Sequence, residues 1–243
     1  MQKKEQLLKE FEGFVVALKD LFAEEIHSIH LVGSILTEDF IEGVSDLNSV
    51  VVFKNLHFSF VERIADLGNT YKKKGIAAPW LMDPEYIQRS LDVFPLEFLN
   101  FKLNHKTLYG EDIFSGLEIN KADLRLQIER ELKSRLIWLR QGYLSTMGEQ
   151  KALLEYMRTI SKSLVPVLRG VCYLYKDMVP VRSVEELLGT LSEVLKRDIG
   201  PVRQAWQLRR QKGSFPKGEI DRLYESLYEW ISELSREIDE TIY

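Results

Sequence analysis

Cysteine is almost missing from this chain. The single thiol, Cys172, excludes a disulfide framework within its 243 residues, and its neighbours Val171, Tyr173 and Leu174 predict a buried thiol in a reduced compartment, where acting as a nucleophile would need an activating base nearby. Charge of one sign is lacking as well. Lys and Arg number 33 against 37 acidic residues, and the net charge of −4 exerts no global pull toward nucleic acid or an anionic membrane. No run approaches the ~20 apolar residues a membrane span requires, and the opening MQKKEQLLKEFEGF alternates charged and apolar residues where a signal peptide would be continuously apolar. A cytoplasmic protein is the expectation. Histidine is scarce too: His27, His30, His57 and His105 do not cluster at metal-ligand spacing, and His27 and His30, on an expected strand, read as structural.

What remains is an ordinary globular composition, 45% hydrophobic and 29% charged, long enough for one large domain or two small ones. Apolar residues from Leu7 to Phe22 recur at helical spacing and predict an amphipathic helix over about 4–24. Strands are expected at 26–32 and 47–54. A capping box at Ser59 and Glu62 opens a helix that ends at Lys72-Lys73-Lys74 before Gly75, a solvated terminus suited to the helix dipole. A third strand over 76–82 precedes a short helix capped by Asp83-Pro84. The aromatic and aliphatic run 94–102 reads as a fourth strand. Beyond Asn120 strand signals vanish, and helices are expected over 121–145, 149–178 with a kink or break at Pro166, 184–197 behind a Ser183–Glu186 capping box, 201–212 and 218–240. The class is α+β, a mixed sheet with flanking helices over 1–116 and an all-α bundle over 117–243. Trp80, Trp138, Trp206 and Trp230 read as core fillers, and Arg209, Arg210 and Lys212 as a solvated helix end.

The chain is organised around Ile29–Phe53, IHLVGSILTEDFIEGVSDLNSVVVF. Gly33 lets the first strand turn sharply, and Ser34 offers a hydroxyl and an N–H of the kind that hold phosphate. Asp46 and Asn48, two apart and so on one face, return toward that turn at the head of the β-branched run Val50-Val51-Val52.

A strand ending in Gly-Ser, a loop of about a dozen residues and then Asp-apolar-acid resembles the signature of the nucleotidyltransferase superfamily, which includes DNA polymerase beta and the aminoglycoside nucleotidyltransferases. The resemblance implies a nucleoside triphosphate held at Gly33 and Ser34, magnesium held at Asp46 and position 48, and a third acid, with which Asn100 in the run after Asp92 aligns. It also implies transfer of a nucleoside monophosphate, AMP, to a hydroxyl on a small molecule or a protein, with the helical domain closing the acceptor cleft. The chain departs from the pattern at two positions: 48 and 100 are amides. An Asn offers a neutral carbonyl oxygen and cannot act as a base, so Asp46, Asn48 and Asn100 carry one negative charge where three are expected. Glu97, Asp92 and Glu85 are candidates to supply a missing carboxylate. Two readings follow: a nucleotidyltransferase with an impaired metal site, or a silent member that keeps the fold for nucleotide binding or for regulation through its helices, homo-oligomerisation included.

Overall fold

A computed structural model describes residues 2–211, 215–216 and 218–241. It holds α1 (Gln2–Phe22), β1 (Ile26–Val32), β2 (Asn48–Phe53), α2 (Phe58–Tyr71), β3 (Trp80–Met82), α3 (Pro84–Arg89), α4 (Pro95–Leu103), β4 (His105–Gly110), α5 (Lys121–Thr146), α6 (Gln150–Tyr175), α7 (Val184–Leu195), α8 (Gly200–Gln207) and α9 (Glu219–Glu240). The chain divides into two compact units. The first comprises 1–91, 98–119 and 181–183, and the second 92–97, 120–180 and 184–243.

In the first unit the strands form one mixed sheet, ordered β3-β2-β1-β4. β1 runs antiparallel to both β2 and β4, and β2 runs parallel to β3. The period-2 alternation of a strand sends Ile29, Leu31, Leu47, Val51 and Phe53 to one face, where α1 and α2 cover them with Phe11, Phe14, Leu18, Phe22 and Ile64. Those α1 residues recur at the helical period, and burying each stabilises the unit by roughly 1.5–3 kcal/mol. Facing the other way, the register sets Val32 opposite Asn48 and His30 opposite Val50. Here the sheet carries polar groups, and Phe101 and Phe114 pack ring on ring beside them.

Three local expectations are corrected. The run after Phe94 is the helix α4, and the fourth strand is His105–Gly110. Pro95 opens that helix at a position where a missing N–H costs nothing, and Pro95, Leu96, Phe98, Leu99 and Phe101 are buried at helical spacing. Ser59 does not cap α2, which begins at Phe58 with His57 before it and no side-chain cap. β3 is confined to Trp80–Met82, and Ile76 makes only an isolated bridge to Leu47. Asp83 caps α3 as expected, accepting from Tyr86 N–H at 2.8 Å, and its other oxygen accepts from Leu56 N–H at 3.2 Å.

The second unit is helical. Asn120 and Glu149 cap α5 and α6, each through its side chain. α6 passes through Pro166 without a break and is lined along its length by buried residues from Leu153 to Leu174, so neighbouring side-chain packing outweighs the lost hydrogen bond. α9 buries the stripe Ile220, Leu223, Leu227, Trp230, Ile231, Leu234 and Ile238. Not every tryptophan fills a core: Trp230 is buried and donates to Asp198 O at 2.8 Å, whereas Trp80 and Trp138 are 53% and 47% exposed. Arg209 lies over the Trp206 ring at 4.2 Å, and Lys212 falls outside the described residues. No helix among the described residues is long and apolar enough to cross a membrane.

Cys172 is fully buried in α6, and burial pushes its thiol up to about 12, against a small opposing effect of Lys176. The thiolate is the reactive form. Iodoacetamide at about pH 8 is therefore expected to leave the folded protein unlabelled and to modify one site per chain in denaturant; mass spectrometry reads both, and fast labelling of the native protein would contradict the burial.

Candidate functional site

The turn after β1 is built by Gly33, whose backbone at φ 84°, ψ −157° is a conformation open in practice to glycine alone. Its carbonyl accepts from Leu36 N–H at 3.1 Å, closing a single three-ten turn over Ser34–Leu36. The Ser34 carbonyl accepts from Thr37 N–H and from the Thr37 hydroxyl, each at 3.0 Å. Ser34 is half-buried. Thr37 Oγ1 in turn accepts from Asp39 N–H at 3.2 Å, and Ser45 Oγ accepts from Ile41 N–H at 3.1 Å, so the loop returning toward β2 is tied to itself.

At the head of β2 the Asn48 side chain lies against the turn: a Cβ added to Gly33 would stand 3.6 Å from Asn48 Nδ2. That same nitrogen donates to the Asp46 carbonyl at 3.4 Å. A carboxylate at position 48 has no hydrogen to donate, and its charge would face the carbonyl dipole. The amide is used here as an amide.

Asp46 is exposed and lines a cavity of about 610 Å³, together with Phe14, Ile64, Tyr71, Lys72 and Pro79. Asn100 belongs to a helix rather than the expected strand, and its carbonyl accepts from Asn104 N–H at 3.0 Å. Asn104, 7% exposed, then donates from Nδ2 to the Gly33 carbonyl at 3.1 Å. Asn100 thus lies one helical turn from a residue that grips the Gly33 corner. Nothing in the sequence marked Asn104 for this role, because the mistaken strand ended before it.

Two of the three candidate substitute acids have other partners. Glu85 pairs with Arg89 at 2.9 Å on an exposed face, and Glu97 accepts from Gln127 Nε2 at 2.6 Å. Asp92 is exposed. Among the described residues, the one cluster of three or more His, Cys, Asp or Glu side chains with metal-holding geometry is His30, His105 and Asp112, and it omits Asp46.

That cluster overturns the expectation that the histidines stand apart. His30 and His105 lie on neighbouring strands, with ring centroids 5.7 Å apart. His30 is completely buried; burial first, then the neighbouring His105 and His27, hold its ring down to about 4, against the pull of Asp112. Its nitrogens meet the hydroxyls of Thr107 at 3.0 Å and Ser28 at 2.8 Å. Burial works against the Asp112 carboxylate, but hydrogen bonds from the Ser115 hydroxyl and N–H and from His105 outweigh it and hold it at about 2.

The computed fold aligns with a crystal structure of spectinomycin adenyltransferase AAD(9) from Enterococcus faecialis, solved with ATP and spectinomycin, at a TM-score of 0.55 and 10% identity, over 94% of this chain and 99% of that one. The chain has the nucleotidyltransferase fold. No protein-family model matches it, and no curated protein matches its sequence. At 10% identity the likeness is one of backbone, and a shared fold does not carry an activity with it.

Proposed function

We propose that the corner formed by Gly33, Ser34, Asp46 and Asn48 binds a nucleoside triphosphate, ATP by likeness to the ligand of AAD(9), and that nucleotidyl transfer is absent in the native chain. The observation that carries this reading is the Asn48 amide, which donates to the Asp46 carbonyl beside Gly33. Transfer at an α-phosphate builds charge on the entering and leaving oxygens, which two divalent ions neutralise. Magnesium favours hard, charged oxygen ligands. In this reading Asp46 would supply one carboxylate and Asn48 one neutral carbonyl oxygen, a charge that suits a single magnesium ion and falls short for two. When bound, that ion offsets phosphate charge. The base that would take the acceptor proton has no counterpart in Asn48 or Asn100, and its loss alone costs on the order of 10²–10⁴ in rate.

The second reading is slow AMP transfer to the hydroxyl of a small-molecule acceptor. It is favoured by the extent of the fold likeness, which covers nearly the whole of an adenyltransferase that was crystallised with its acceptor. Calorimetry with ATP, with and without magnesium, tests the pocket, and α-labelled ATP offered with spectinomycin and other hydroxyl-rich acceptors tests the chemistry. Magnesium-enhanced binding without label transfer is expected. Label on any acceptor overturns the silent reading, and a flat binding isotherm under both conditions removes the pocket.

A further inference from the structure

We propose that His30, His105 and Asp112 form a site for a divalent transition-metal ion, zinc by the chemistry of its donors, that fastens β4 and the turn after it to β1. The proposal is independent of the nucleotide reading. His105 stands at the centre of the cluster. Nδ1 of this ring faces the Phe101 carbonyl at 2.7 Å, and Nε2 faces Asp112 Oδ1 at 2.8 Å. Both partners only accept, and the His105 side chain is 7% exposed, so a metal ion set between Nε2 and the carboxylate would answer both groups at once. With Nδ1–H kept on the Phe101 carbonyl, Nε2 turns its lone pair toward Asp112, which is the outer-shell arrangement that orients imidazole ligands in metal sites.

The third donor is already in place. One ring nitrogen of His30, one of His105 and one Asp112 oxygen all lie within 4.8 Å of one another. Metal–ligand bonds of about 2.0–2.2 Å require the three to close further. The movement falls to Asp112, whose side chain is 42% exposed; Oδ1 accepts from Phe114 N–H and Ser115 N–H at 3.1 Å each and Oδ2 from the Ser115 hydroxyl at 2.6 Å, so the ion must displace part of this cap. His30 keeps an outer-shell partner whichever nitrogen it gives to the ion, since Ser28 and Thr107 hydroxyls hold one nitrogen each. Two imidazoles and one carboxylate, with a fourth position left for water, suit zinc and cobalt far better than magnesium or calcium. Access runs past the carboxylate, because His30 is wholly enclosed.

Chelator-stripped full-length protein is titrated with zinc chloride by calorimetry and, in parallel, with cobalt chloride by visible absorption. One ion per chain is expected, with the absorption bands of a four-coordinate nitrogen and oxygen site, and a melting temperature that rises with zinc concentration. Asp112→Asn is expected to weaken zinc by at least tenfold while leaving the metal-free protein folded. His105→Gln should weaken it further, and Asp112→Asn carries the test if that buried change prevents folding. No zinc uptake by the native chain, or equal uptake by native protein and Asp112→Asn, overturns the site and leaves a histidine–aspartate ion pair in its place.

Discussion

Gly110→Ala is expected to cost more than about 3 kcal/mol, a large share of the roughly 5–15 kcal/mol that holds an ordinary domain folded. Gly110 closes β4 at φ +74° opposite Ser28 of β1, and a Cβ added there would stand 2.0 Å from the His27 carbonyl oxygen and 2.9 Å from Ser28 Cα. Both are backbone atoms of the strand on which the sheet is centred, so no side chain can swing aside. Relief requires β4 to move off β1, and that movement would also separate Thr107 and His105 from His30. Gly43→Ala separates the contributions. It has a similar φ of +76° but nothing within 4 Å of the added carbon, so it should lose only the 1–2 kcal/mol, roughly, of an L-residue in left-handed backbone. Urea unfolding of both variants decides between them; equal losses would mean that β4 is free to shift.

The second large effect concerns the Gly33 corner. In Asn48→Asp the donor to the Asp46 carbonyl is exchanged for a charge, at a cost in stability of about 1 kcal/mol, and the site gains a second carboxylate. Magnesium-dependent ATP binding is then expected to tighten by roughly tenfold, because added anionic oxygens offset the dehydration of the ion. Asp46→Asn should do the reverse and abolish the magnesium dependence. Joining Asn48→Asp to Asn100→Asp supplies the base as well, and nucleotidyl transfer should then rise above the native level by on the order of 10²–10⁴. Label-transfer rates for the native, single and double variants read this directly. If the double variant binds ATP and magnesium tightly yet transfers nothing, Asn100 is not the position of the missing base.

Local chemistry made much of this molecule legible before any coordinates. The α1 stripe, the β-branched β2, the glycine that ends β1, the Asp83 cap and the long helices after Asn120 each follow from side-chain period or from one residue's backbone freedom, and each appears in the structure. Strand pairing predicts Asp46 and Asn48 together at the Gly33 turn; the register joins Val32 to Asn48, while β2 begins only at Asn48 and leaves Asp46 outside the strand. The α4 segment differs from its expected strand for an equally local reason. Its apolar residues are so dense that a strand and a buried helix leave nearly the same pattern, and Pro95 tips the balance only once the helix has a surface to pack on.

Sequence alone therefore determined the class of fold and the glycine turn, because those depend on residue type and short spacing. Tertiary structure decided which distant groups meet: Asn104 on the Gly33 carbonyl, and His30 with His105 and Asp112. These contacts cross from β1 to segments far along the chain. Their positions come from strand order and register, which are properties of the packed sheet and leave no periodic mark on the residues that meet.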